Sequence, residues 1–209
     1  MMVCVESNFI LELAFLRDEH EACTQLLVLA ETHALRLAVP AFSVGETYEA
    51  LVRRAKQRSD LHNRLRTELG ELSRSQPYQH SSTQFEEVTG VLIRSSEDEK
   101  RRLDEGLDRI LNAADIIPIE LRTIRAAIAY QQRRALSPQD SIVYASIVQH
   151  LAQSPREAAC FVTKNSKDFN NPDIENELQL HNCRLLTRFR DTLGYVQSQA
   201  TEPNRPDAN

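Results

Sequence analysis

Three acids and an Asn/Asp pair stand where short apolar runs end or where helices begin. Residues 3–5 lead into Glu6-Ser7-Asn8. Residues 37–41 exit into Ser43-Val44-Gly45-Glu46. Ser137-Pro138-Gln139-Asp140 opens a helical stretch, and residues 158–163 end at Thr163 before Lys164-Asn165-Ser166-Lys167-Asp168. In an open parallel sheet, ligands gather beyond the carboxyl ends of the strands, so such residues can converge. Several carboxylates at one sheet end repel each other unless a cation sits among them or some stay protonated. Oxygen ligands without His or Cys suit Mg²⁺ or Mn²⁺ rather than zinc. Each residue also has a plainer structural role. Ser43…Glu46 and Ser137…Asp140 both fit a capping box. Asn165 suits a cap or turn, and Glu6 suits a helix N-terminus.

The elements that must position these residues follow from apolar periodicity. Strands are expected at 3–5, 37–41, 116–119, 158–163 and 183–186. Helices are expected from Ser7 or Asn8 to about Leu16, then over 21–34, from Ser43 towards Arg58, over 121–134, over 137–152 and over 188–196. Leu61, Leu65, Leu69 and Leu72 keep helical spacing; 73–82 reads as a loop; Phe85, Val88 and Leu92, then Leu103, Leu107 and Ile110, resume the spacing. Strands alternating with helices predict a three-layer α/β/α fold around a mainly parallel sheet. Residues 53–112 carry no strand signal and read as a helical hairpin inserted between the second and third strands. The domain spans 1–196, and the aperiodic 197–209 reads as a disordered tail.

Several function classes lose support. The formal charge of −5 excludes a uniformly basic nucleic-acid binder. Residues 53–75 nonetheless hold Arg53, Arg54, Lys56, Arg58, Arg64, Arg66 and Arg74 against Asp60, Glu68 and Glu71. That run is either a phosphate-tracking patch or the solvated face of a helix. The longest apolar runs are about five residues, against roughly 20 for a membrane-spanning helix, so no membrane role is expected. MMVCVESNF has neither the basic flank nor the apolar core of a secretory signal. Four scattered cysteines without CxxC read as reduced core thiols of a cytoplasmic protein. No GxGxxG, P-loop, GxSxG, HxH or HExxH occurs.

The ordered set of an acid-Ser-Asn strand exit, AVPAFSVGE, LSPQDSIVYASI and FVTKNSKDF resembles the PIN domain family over about 1–52 and 113–196. The resemblance implies a metal-dependent nuclease, here a ribonuclease (a hydrolase) using Mg²⁺ or Mn²⁺. By matching position, Glu6, Glu46 and Asp140 are the implied ligands, with Asn165 and Asp168 as further catalytic contacts. Glu6 and Asp140 would hold the principal ion, and Glu46 a second ion or the attacking water. Asn8, Thr163, Arg53, Arg54, Lys56 and Arg58 are the expected substrate contacts. Glu6 stands where the family pattern has Asp, and its extra methylene moves the carboxylate by about 1.5 Å. The competing expectation is a PIN-like interaction module without turnover, whose inserted hairpin binds a protein partner or a second copy.

Overall fold

The computed structural model describes residues 1–78, 82–154, 157–169 and 171–201, with side chains throughout except 82–88, 200 and 201. In chain order the elements are β1 (Met2–Val5), α1 (Ser7–Phe15), α2 (His20–Glu31), β2 (Arg36–Pro40), α3 (Ala41–Leu72), a 3₁₀ turn at Gln76–Tyr78, α4 (Ser82–Ala113), β3 (Ala114–Ile117), α5 (Leu121–Arg134), α6 (Pro138–Leu151), β4 (Ala159–Val162), α7 (Ser166–Phe169), α8 (Pro172–Leu180), β5 (Cys183–Leu186) and α9 (Phe189–Thr201). The five strands form one parallel sheet in the order β3-β2-β1-β4-β5.

Buried strand residues alternate between the two faces, as the period of two requires. Val3, Val5, Leu37, Val39, Cys160 and Val162 enter one core with Phe9, Leu26, Leu51, Leu107 and Phe189. Met2, Cys4, Ala38, Ala159 and Phe161 enter the other with Tyr144, Ile147, Phe169 and Ile174. Helices therefore cover both faces, and the central strands β1 and β4 are buried on both sides, as parallel sheets demand. The chain moves outward from β1 through β2 to β3, then jumps to β4 on the other side of β1. The β1–β4 junction is thus the switch point, where a crevice opens beyond the carboxyl ends of the strands.

Several expectations need correcting. The third strand is 114–117 rather than 116–119, because Ile117 pairs with Pro40 and the following Pro118 has no N–H to extend a ladder. The third helix begins at Ala41 directly after β2, with Pro40 at its N-cap, and runs unbroken for 32 residues. Ser43 therefore lies inside the first turn, fully buried, and no Ser43…Glu46 capping box exists. The hairpin is real but is not an appendage over all of 53–112. The second half of α4 belongs to the core, since Leu103, Leu107 and Ile110 are buried there and Arg109 pairs with Glu31 on α2 at 2.7 Å. Leu61, Leu65 and Leu72 stay part-exposed on the outer hairpin. The last helix continues to Thr201, into the expected tail; 202–209 and residues 79–81 of the expected loop lie outside the described residues.

Candidate metal centre

Strand β1 ends on Glu6, which is 6% exposed and serves as the N-cap of α1. Its carboxylate is held by four donors. Ser7 Oγ and Asn8 N–H donate to Oε2 at 3.0 and 3.3 Å, and Asn8 Nδ2 and Thr163 Oγ1 donate to Oε1 at 2.6 and 3.0 Å. Thr163, fully buried at the end of β4, in turn accepts the Asn165 N–H at 2.9 Å. Asn165 Nδ2 donates to Asp140 Oδ1 at 3.2 Å. Ser137 caps α6 by accepting the Asp140 N–H at 3.1 Å, while its hydroxyl donates to Asp140 Oδ2 at 2.5 Å. Asp140 is thus both a cap residue and a wall of the crevice. A chain of hydrogen bonds from β1 through β4 to α6 locks two carboxylates in place.

Glu46 approaches from the second turn of α3. It lines, with Glu6, Ser7, Asn8, Asp140, Val143, Lys164 and Asn165, one concavity of about 400 Å³. Its carboxyl is pushed up to about 7, chiefly by burial, then by the negative charges of Glu6 and Asp140 and, less, of Glu49; Ser7 pulls it down by hydrogen bonding. Burial of the carboxyl, with the charges of Glu6 and Asp140 beside it, accounts for this shift. Lys164 is the cation of this wall. Its Nζ donates to Glu12 Oε1 at 2.8 Å and lies 3.8 Å from Glu19, and Glu12 is 1% exposed.

The expected residues thus divide. Glu6, Glu46, Asp140, Asn165 and Asn8 share the concavity. Asn8 and Thr163 spend their side chains on Glu6 rather than presenting them to a substrate. Asp168 sits exposed on the short α7 and does not line the concavity. On α3, Arg58 grips Glu99 with both terminal nitrogens at 2.7 Å, and Arg54 lies 3.6 Å from the same carboxylate. Arg53 and Lys56 are exposed. Sequence reasoning missed Lys164, although it stands between Thr163 and Asn165, and missed the buried Glu12 that holds it. An acid amid the apolar residues of α1 was its visible signal.

The donor set fits a divalent cation in kind: three carboxylates and no nitrogen or sulfur ligand. The raised Glu46 reflects burial beside the charges of Glu6 and Asp140, while Lys164, the cation on the same wall, is paired with Glu12. Among the described residues no three His, Cys, Asp or Glu side chains stand close enough together to hold an ion as they are. The oxygens of Glu6 and Asp140 are engaged by Asn8, Thr163, Ser137 and Asn165 instead.

A parallel three-layer sheet with carboxylates at its switch point defines a class, and comparison supplies the family. The PIN domain model matches residues 3–169, so the chain belongs to the PIN domain family, a nuclease-type fold. PIN domains usually bind divalent metal ions. No curated protein and no solved structure matches the chain. None of the described helices is long and apolar enough to cross a membrane.

Proposed function

We propose that this PIN domain is a Mg²⁺- or Mn²⁺-dependent nuclease that hydrolyses phosphodiester bonds in RNA. The observation that carries this reading is the meeting of Glu6, Glu46 and Asp140 around one concavity, where burial and then the charges of the other two push Glu46 to about 7. Glu6 and Asp140 would hold the principal ion, and Glu46 a second ion or the attacking water. A bound divalent ion supplies an activated water and stabilises charge on the phosphoryl oxygens. The protein's own groups do the rest. Thr163 Oγ1 and Asn8 Nδ2 fix the Glu6 carboxylate, and Asn165 Nδ2 with Ser137 Oγ fixes that of Asp140. Such support limits the positional error that catalysis tolerates poorly. Where Glu46 does not itself hold an ion, its carboxylate would take a proton from the attacking water. The four free, buried thiols suit a reducing cytoplasm.

The test is cleavage of pooled RNA with Mn²⁺, run beside Asp140→Asn. Parent cleavage that the variant loses supports the reading; equal cleavage by both refutes it. A second reading, an interaction module without turnover, draws on Glu6 in the place of the usual Asp, with both its oxygens engaged by neighbours. Its partner, a protein or a second copy, would dock on the hairpin, where Leu61, Leu65 and Leu72 are part-exposed. That reading predicts no saturable effect of Mn²⁺ on thermal stability.

A further inference from the structure

Where α1 ends against the base of the hairpin, several guanidinium groups gather around one aromatic ring. Arg17 and Arg54 lie over Phe15, 4.8 and 4.7 Å from the ring centroid. Arg102 on α4 donates from Nε to the Ala14 carbonyl at 2.8 Å. The acid paired beside them is Glu99, and both of its oxygens are taken at 2.7 Å by Arg58. Arg54 Nε stays 3.6 Å from Glu99 and is buried without a hydrogen-bond partner among the described residues. Arg17 and Arg102 have no ion-pair partner among those residues.

Clustered like charges cost free energy. The face of Phe15 and the terminal carbonyls of α1 offset part of that cost, and an external anion would offset more. Guanidinium forks match phosphate oxygens in shape. Arg54 also stands eight residues beyond Glu46 on α3, about 12 Å along its axis and turned by about 80° round it. A strand whose scissile bond lies at the carboxylates can reach this cluster with its flanking phosphates.

We propose that Arg17, Arg54 and Arg102 form the subsite that grips the phosphate backbone of the nucleic-acid strand beyond the scissile bond. Arg53, Lys56 and Arg58 are not part of it: Arg58 is neutralised by Glu99, and the other two are exposed residues that make no hydrogen bond, ion pair or ring contact to Phe15 or α1 among the described residues. The proposal rests on reading the concavity as a nuclease centre.

Anisotropy of a short labelled single-stranded RNA, titrated with the full chain in EDTA at two salt concentrations, tests it. Arg17→Gln with Arg54→Gln should weaken binding about tenfold and reduce the log–log salt slope by about 1.4, roughly 0.7 for each lost phosphate contact. Arg53→Gln with Lys56→Gln should stay within about twofold of the parent, since surface charges without a phosphate partner contribute little. Arg17→Lys keeps the charge but loses the planar fork, and should recover only part of the affinity lost by Arg17→Gln alone. Thermal denaturation of each variant separates lost contacts from lost folding. Parent-like affinity and slope in the folded Arg17/Arg54 variant overturn the subsite, as does a larger loss in the Arg53/Lys56 variant. Preference of the parent for polyglutamate over RNA overturns it in favour of an acidic protein partner. Parent protein that binds no RNA overturns both the subsite and the nuclease reading. RNA binding that needs Arg17 and Arg54, without any Mn²⁺-dependent cleavage, keeps the subsite and removes the nuclease reading alone.

Discussion

The two sides of the carboxylate concavity are built on opposite terms. On the sheet side, Glu6 and Asp140 each receive side-chain hydrogen bonds from neighbouring elements, and the donors are tied to one another through Thr163 and Asn165. On the α3 side, Glu46 faces two negative charges with Ser7 as its stabilising contact, and its carboxyl rises to about 7. One turn earlier, the buried Ser43 hydroxyl has no partner among the described residues. The sheet side resembles a prepared frame, fixed before any ligand arrives. The α3 side stays protonated up to about pH 7 unless a cation answers its charge.

Substitutions on the frame should have the largest effect. Glu6→Gln keeps the size of the side chain and removes its charge. Cleavage with Mn²⁺ should fall by more than the roughly 10–100-fold typical of losing a supporting group. Equal rates for parent and variant would reduce Glu6 to a helix cap. Thr163→Val is next. It deletes the buried donor to Glu6 and the part-buried acceptor for the Asn165 N–H, which should cost about 1–3 kcal/mol in urea denaturation. Mn²⁺ affinity, read by thermal shift, should fall roughly 10–100-fold. A variant as stable and as metal-responsive as the parent would show that the frame does not depend on this link.

The α3 side should respond to pH instead. A carboxyl raised from its ordinary 4.5 to about 7 binds more protons in the folded state than in the unfolded one between those values. Stability of the metal-free protein should therefore be full below about pH 4.5 as far as this group is concerned, and should decline as pH rises through 7. Glu46→Gln should flatten that slope and lose the stabilising response to Mn²⁺. Melting temperatures across the range, with and without the ion, check both; an unchanged slope in the variant would assign the dependence to another group. Ser43→Ala should do least. It removes a buried hydroxyl that makes no bond, so stability should hold or rise by up to about 1 kcal/mol. A clear loss would mean that the hydroxyl has a partner, such as a buried water.

Much of this contrast was legible in the sequence, and the illegible part has a physical cause. Strand exits and helix starts leave local marks, and the residues they singled out at Glu6, Asp140 and Asn165 line one concavity. The Ser137 cap was legible for the same reason. The supposed cap at Ser43 failed because β2 passes into α3 without a break, and a buried serine looks the same in sequence as a capping one. Leu103, Leu107 and Ile110 showed their helical spacing but not which surface they would cover. The pairing of Arg58 with Glu99 joins residues far apart in sequence, so a run read as free basic charge proved partly spent. Asp168 followed the right strand but sits exposed on the short α7, outside the lining of the concavity.

The insertion also bears on how the sheet is assembled. All of α3 and α4 lies between Pro40 and Ala114, yet these ends must meet for β3 to pair with β2. Closing so long a loop from a disordered chain carries an entropic cost that grows with its length. Helices form from local contacts well before distant strands find each other. Once α3 and α4 fold back on one another, with Arg58 gripping Glu99 across them, the two strand ends arrive as neighbours. The hairpin therefore serves as a splint for the edge of the sheet, and loosening its base would slow the arrival of β3 long before it altered the carboxylates.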